Sequence, residues 1–175
     1  MEEKAPSVGR LALTYGLYMG LALTLVSLVY YLTGNIFAKS SQWANYIVMI
    51  CGIVLAQLNY RKRLGGIMPY GQALAAGVLT MIFASVITAL YTCVLYDIVD
   101  PALKDQTLLI IEEQLVTQGN LPEEQINLIM KLMSIFQEPI VRAIMGIISG
   151  IFTGLILSLI TSIFTQKKPN EITPS

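Results

Sequence analysis

Histidine is missing altogether from this chain, and charge of either sign is scarce. The first absence removes the side chain that most often serves as general acid, general base or metal ligand near neutral pH. The second is a matter of degree. Only 13% of the 175 residues are charged, against roughly 25% in a soluble domain. A larger core does not account for the deficit, because a chain of this size still has much surface to cover with polar groups. Lys and Arg balance Asp and Glu at 11 each. No overall field therefore draws the chain to nucleic acid or to an acidic substrate, and no nucleic-acid partner is expected. The two cysteines, Cys51 and Cys93, both lie in apolar runs. There they read as small buried hydrophobes, and they make no disulfide framework.

What the chain has in quantity is apolar side chain, 55% of its residues. Four runs, residues 11–33, 43–60, 71–96 and 140–165, are uncharged over about the 20 residues that a bilayer core requires, with Arg142 at the edge of the fourth. Irregular backbone cannot face lipid, so each run should be a helix. At 1.5 Å per residue the third and fourth would reach about 39 Å against a core of about 30 Å, and should tilt or project. The first run exceeds the roughly 7–15 residues of a signal-peptide core, and no small-x-small site follows it closely. It reads as a retained anchor.

Lys and Arg set the orientation. Lys4, Arg10, Arg61, Lys62, Arg63, Lys167 and Lys168 lie on one side of the four runs, and Lys39, Lys104, Lys131 and Arg142 on the other. The larger group puts residues 1–10, the 61–70 link and the tail, 166–175, in the cytoplasm, with the tail disordered. An outer aromatic belt would comprise Tyr30, Tyr31, Trp43, Tyr46, Tyr91 and Tyr96, and an inner one Tyr60, Tyr70 and Phe164. Arg61, Lys62 and Arg63 open a tight inner turn, and serve as a topology signal or as a contact for anionic lipid headgroups.

Between the third and fourth runs, residues 98–138 do not have the composition of a loop. Asp100-Pro101 starts one helix, about 101–118. Asn120 and Glu123 have capping-box spacing and start a second, about 121–137, with Gly119 between the two. On the second, apolar residues from Ile126 to Phe136 cover roughly 220° of the circumference. Such a hairpin should lie down on the membrane-side surface.

Within the fourth run, Gly146, Gly150, Gly154, Ser158 and Ser162 recur at every fourth position. Hydrophobicity does not drive helices together in lipid; close packing does. The stripe is a packing face, within one chain or between chains, and Gly16 and Gly20 form a shorter one in the first run. The four spans have no charge in their interiors, which disfavours a proton-coupled transporter or voltage sensor. Gln57, Asn59 and Gln72 lie near span ends and read as headgroup or backbone partners. The pairs Glu112-Glu113 and Glu123-Glu124 would attract a cation only if they converged, and adjacent helical residues point about 100° apart. No phosphate loop or catalytic motif is present. No catalytic residue, metal site or cofactor is expected, and the chain does not read as an enzyme.

Two stretches, "GGIMPYGQALAAG" (65–77) after a basic turn and "YDIVDPAL" (96–103), carry a resemblance. The pattern over residues 10–165 resembles an uncharacterised family of small four-helix inner-membrane proteins of Bacteroidota, a domain of unknown function. The resemblance implies a bacterial inner membrane and no activity. The expectation is therefore an all-α integral membrane four-helix bundle, 11–165, with an extracytoplasmic helical hairpin between the third and fourth spans. Its partners would be membrane lipids, with a protein partner or self-association through the small-residue faces or the hairpin. A non-catalytic structural or interaction role comes first, and a component of a transporter or channel is the alternative.

Overall fold

A computed structural model describes residues 7–117 and 121–167. The described chain contains six α-helices: α1 (Val8–Leu32), α2 (Lys39–Arg63), α3 (Tyr70–Val94), α4 (Ala102–Thr117), α5 (Glu123–Phe136) and α6 (Pro139–Thr165). A π-helical turn, Leu95–Val99, follows α3 directly. Four stretches are long and apolar enough to cross a membrane: α1, α2, α3 with its π-helical turn, and α6.

The helices outrun the apolar runs, because backbone hydrogen bonding does not stop where charge begins. α1 takes in Arg10, and α2 extends from Lys39 to Arg63. Arg61, Lys62 and Arg63 thus form the last turn of α2 rather than the expected turn between helices. Cations suit that place, where the helix dipole is negative. The turn proper is glycine: Gly65 and Gly66 have φ of 73° and 93°, and the Gly66 amide returns to the Arg61 carbonyl at 3.0 Å. That is the left-handed backbone glycine tolerates best at a helix end. Pro69 then opens α3, its carbonyl accepting from the amides of Gln72 and Ala73.

α5 begins at Glu123 with Pro122 at its N-cap position. The helix therefore starts later than the capping-box reading placed it. Asn120 and Gly119, on which that reading rested, lie outside the described residues, as do Lys4 and Lys168. Lys167 pairs in both directions with the backbone of Met68, at 2.9 and 3.0 Å; the tail beyond it lies outside the described residues.

The described chain forms two compact units, residues 7–88 with 147–167, and residues 89–146. In the first, Leu11, Ala56, Tyr60, Met68, Ala73 and Ala76 build one buried cluster, and Met19, Leu23, Ile53, Met81 and Ala84 another. Tyr60 is only 7% exposed, so it belongs to this core and not to an aromatic belt. Trp43 and Phe164 are 71% and 80% exposed. In the second unit α4 packs against α5.

Candidate functional site

Close helix contact in the first unit follows the small residues. A Cβ built on Gly150 would lie 2.5 Å from Ser85 Cβ, and one on Gly154 would collide with Met81. Ser158, fully buried, stands against Gly77, which has no room for a side chain beside the Ser158 hydroxyl. Gly16 faces Phe83 and Thr80, and Gly20 faces Ile87. These contacts are all within one chain. Gly146 stands apart from the rest of its stripe, because a Cβ there would meet no described atom within 4 Å.

Ser162, the last member of the stripe, takes part in a buried polar node. The Gln57 side-chain amide donates to the Ser162 hydroxyl at 3.0 Å and to the Ala73 carbonyl at 3.1 Å. The Thr165 hydroxyl donates to the Gln57 side-chain carbonyl at 3.0 Å. Gln57 is fully buried. Both its amide hydrogens and its oxygen are thus satisfied, as a polar group hidden among apolar helices requires. One side chain ties α2, α3 and α6 together. The sequence reading placed Gln57 as a headgroup or backbone partner; the Ala73 bond agrees with that in part, but the two hydroxyl bonds do not.

Beside this node the basic end of the unit is assembled. Arg61 donates to the Thr165 carbonyl at 3.0 Å and so caps the end of α6. Tyr70 donates to the Leu159 carbonyl at 3.2 Å. With the Met68–Lys167 pairing, these bonds hold Arg61, Lys62, Arg63 and Lys167 at one end of the helices. Arg10, at the start of α1, belongs to that end too, since its neighbour Leu11 packs with Tyr60 and Met68. Lys62 and Arg63 are exposed. No aspartate or glutamate occurs among residues 7–88 or 147–167.

A polar notch of about 230 Å³ opens between α2 and α6, lined by Gln42, Asn45, Tyr46, Met49, Ser149 and Thr153. The Asn45 side-chain oxygen is buried and has no partner among the described residues. Nothing in the spacing of the sequence singled these residues out.

The second unit holds all eight acidic residues of the described chain, Asp97 to Glu138. Its centre is Asp97, in the π-helical turn. The carboxylate pairs with Arg142 of α6 and, at 2.5 Å, with Lys104 of α4. Arg142 also donates to the Gln137 carbonyl at 2.8 Å and lies over the Tyr96 ring, 5.0 Å from its centre. At 13% exposure its side chain is largely out of water, so these partners are what hold its charge. Sequence spacing gave no sign that residues 45 positions apart would pair. Glu112, Glu113, Glu123 and Glu124 are exposed. Among the described residues no three Cys, Asp or Glu side chains gather as a metal site.

The arrangement is rich in helix-fixing bonds and in segregated charge. Cys51 is exposed rather than buried, and Cys93 is half-buried. Residues 14–167 match the model of a family described as "Protein of unknown function (DUF4199)", and the chain belongs to that family. Neither the curated proteins nor the solved structures gave a match.

Proposed function

We propose that this DUF4199 chain is a multi-pass protein of the bacterial inner membrane that works by binding rather than by catalysis, in a structural or interaction role. The observation that carries the reading is the exposed stripe on α5. Leu128, Leu132 and Ile135 recur at helical spacing and are 63%, 48% and 50% exposed. Ile126, Ile129, Met130 and Met133 are half-buried. α4 thus covers one side of the apolar face and leaves the other bare. A helix that presents anchors at i, i+4 and i+7 has the pattern by which amphipathic helices engage a groove on another protein.

Charge supports the orientation. Arg10, Arg61, Lys62, Arg63 and Lys167 share one end of the first unit, and Lys39 lies at the start of α2, at the opposite end. By the positive-inside rule the basic end is cytoplasmic. The 97–138 segment, with its acidic residues and bare stripe, is then extracytoplasmic.

The test is photocrosslinking in the membranes of the native host, with a photoreactive residue at Leu132 or at exposed Asp105. We expect a protein adduct at Leu132 and none at Asp105. Equal yields at the two positions would overturn the stripe as the contact face.

A further inference from the structure

We infer that the α1–α2 face binds one acidic phospholipid, its acyl chain in an apolar groove and its phosphate beside Lys62; this rests on the reading of α1 and α2 as membrane spans. The groove is open, about 340 Å³, and lined by Tyr15, Tyr18, Met19, Ile47, Cys51 and Leu55 among others. That is the lower end of the roughly 300–1,000 Å³ typical of ligand clefts. Tyr15 and Tyr18 meet edge to face at 6.4 Å and make one aromatic wall. Gly52 gives the floor, since Met19 fills the place its side chain would take.

Helix geometry places a cation on the line of this groove. Lys62 follows Leu55 by one heptad, which brings it back to within about 20° of the same face, about 10 Å further toward the basic end. Arg61 turns instead to the Thr165 carbonyl. Lys62 is exposed and has a long apolar stem, so it can lie along the groove mouth with its ammonium at headgroup level. No carboxylate in residues 7–88 or 147–167 competes for it. A zwitterionic lipid would fill the groove equally well but would gain less from the lysine. A second copy docked here about an axis normal to the membrane would bring Lys62 against Lys62. Charge complementarity therefore selects an acidic lipid over a second copy.

The experiment uses the full chain in mild detergent, with phosphatidylglycerol and phosphatidylcholine of identical acyl chains, and native mass spectrometry as the readout. We expect wild type to prefer phosphatidylglycerol about fivefold, the contribution of one lysine beside an anionic headgroup. Lys62→Gln should lose that preference and keep chain binding. Ala22→Phe, which fills the groove, should lose both lipids. Lys39→Gln, at the other end of α2, should behave as wild type. Glycerol phosphate should not compete, since the acyl chain supplies most of the contact. Equal binding of the two lipids by wild type, an equal loss in Lys39→Gln, or competition by glycerol phosphate would overturn the site. So would efficient Cys51–Cys51 disulfide formation on oxidation in membranes of a Cys93→Ser variant, which would put a second copy in the groove. Carbonate extraction is a separate readout. A chain released by carbonate overturns the membrane reading and the site with it; a resistant chain without lipid preference overturns the site alone.

Discussion

The Gln57 amide reaches the Ser162 hydroxyl at 3.0 Å, joining the second helix to the last across 105 positions of sequence. With the Ala73 carbonyl and the Thr165 hydroxyl, this contact uses both amide hydrogens of the Gln57 side chain and gives its oxygen one donor. Replacing Gln57 by leucine removes these bonds and leaves the two hydroxyls to bond within their own helix. Interhelical hydrogen bonds in membranes average about 0.6 kcal/mol and reach about 1.7. Gln57→Leu should therefore destabilise the protein by about 1–2 kcal/mol, read as a lowered midpoint in thermal unfolding in detergent. Gln57→Glu should cost more, because an ionised carboxylate would put an oxygen against the Ala73 carbonyl oxygen, and burying the acid neutral requires protonating it first. A wild-type midpoint in both variants would show that the node does not hold the helices.

The small-residue stripe makes a graded prediction. Gly150→Leu and Gly154→Leu force α6 away from Ser85 and Met81, whereas Gly146→Leu enters open space. Overpacking typically costs about 1–3 kcal/mol. The first two variants should lose stability on that scale, and Gly146→Leu and Ile151→Leu should be nearly silent. Thermal scans of the four variants check the order. If Gly146→Leu proves as damaging as Gly150→Leu, that end of the stripe meets another chain.

Asp97 pairs with Arg142 and Lys104 at once, one carboxylate between two cations. Asp97→Asn removes the countercharge and leaves the largely buried guanidinium with neutral partners only: the new amide oxygen, the Gln137 carbonyl and the Tyr96 ring. A hydrogen bond to a charged group contributes about 1.5–3 kcal/mol, and the part that comes from the carboxylate charge is lost. Proteolysis should become faster in the 97–138 segment of Asp97→Asn, and the double change Asp97→Asn with Arg142→Gln should recover part of the loss. A double variant worse than the sum of the singles would refute the coupling.

Comparison of sequence and structure shows where local pattern stops being informative. The four apolar runs located the long helices because lipid leaves the backbone no alternative to internal hydrogen bonds. Their ends were misplaced by up to four residues, as at Lys39, since polar ends of a helix carry no apolar signal. The partners of Gln57 and Asp97 were not legible. Each is chosen by which helices come together, and neither residue type nor spacing encodes that choice. Cys51 was misread for a related reason. In a membrane protein an apolar position is not thereby an interior one, because the outside is apolar too.

Topology is tested by thiol labelling in a background without Cys51 and Cys93. Ser41 is 7% exposed and would label poorly, whereas Ser40 is exposed. Gly71 is exposed, and a side chain there meets no described atom within 4 Å. A cysteine at Ser40 should react with an impermeant reagent in intact cells, and one at Gly71 only after the membrane is opened. Labelling of Gly71→Cys from outside would reverse the orientation and place the 97–138 segment in the cytoplasm.

The α5 stripe yields a prediction about water. Each large apolar side chain left in water forgoes about 1.5–3 kcal/mol of burial. Leu128, Leu132 and Ile135 lie on one side of α5 and α4 does not cover them. The bilayer interface is the nearest apolar medium for a segment tethered between two spans, and the stripe should rest on it until a protein partner takes its place. A spin label at Leu132 should then be shielded from a water-soluble relaxation agent, in nanodiscs of the purified chain and in native membranes alike. One at Lys131, on the polar side, should be open in both. Dissolved oxygen, which concentrates in lipid, should relax the Leu132 label in nanodiscs and do so less in native membranes, where protein would replace lipid. Equal aqueous access at the two positions in nanodiscs would mean that the helix stands in water with its apolar side bare, and the docking argument would fail.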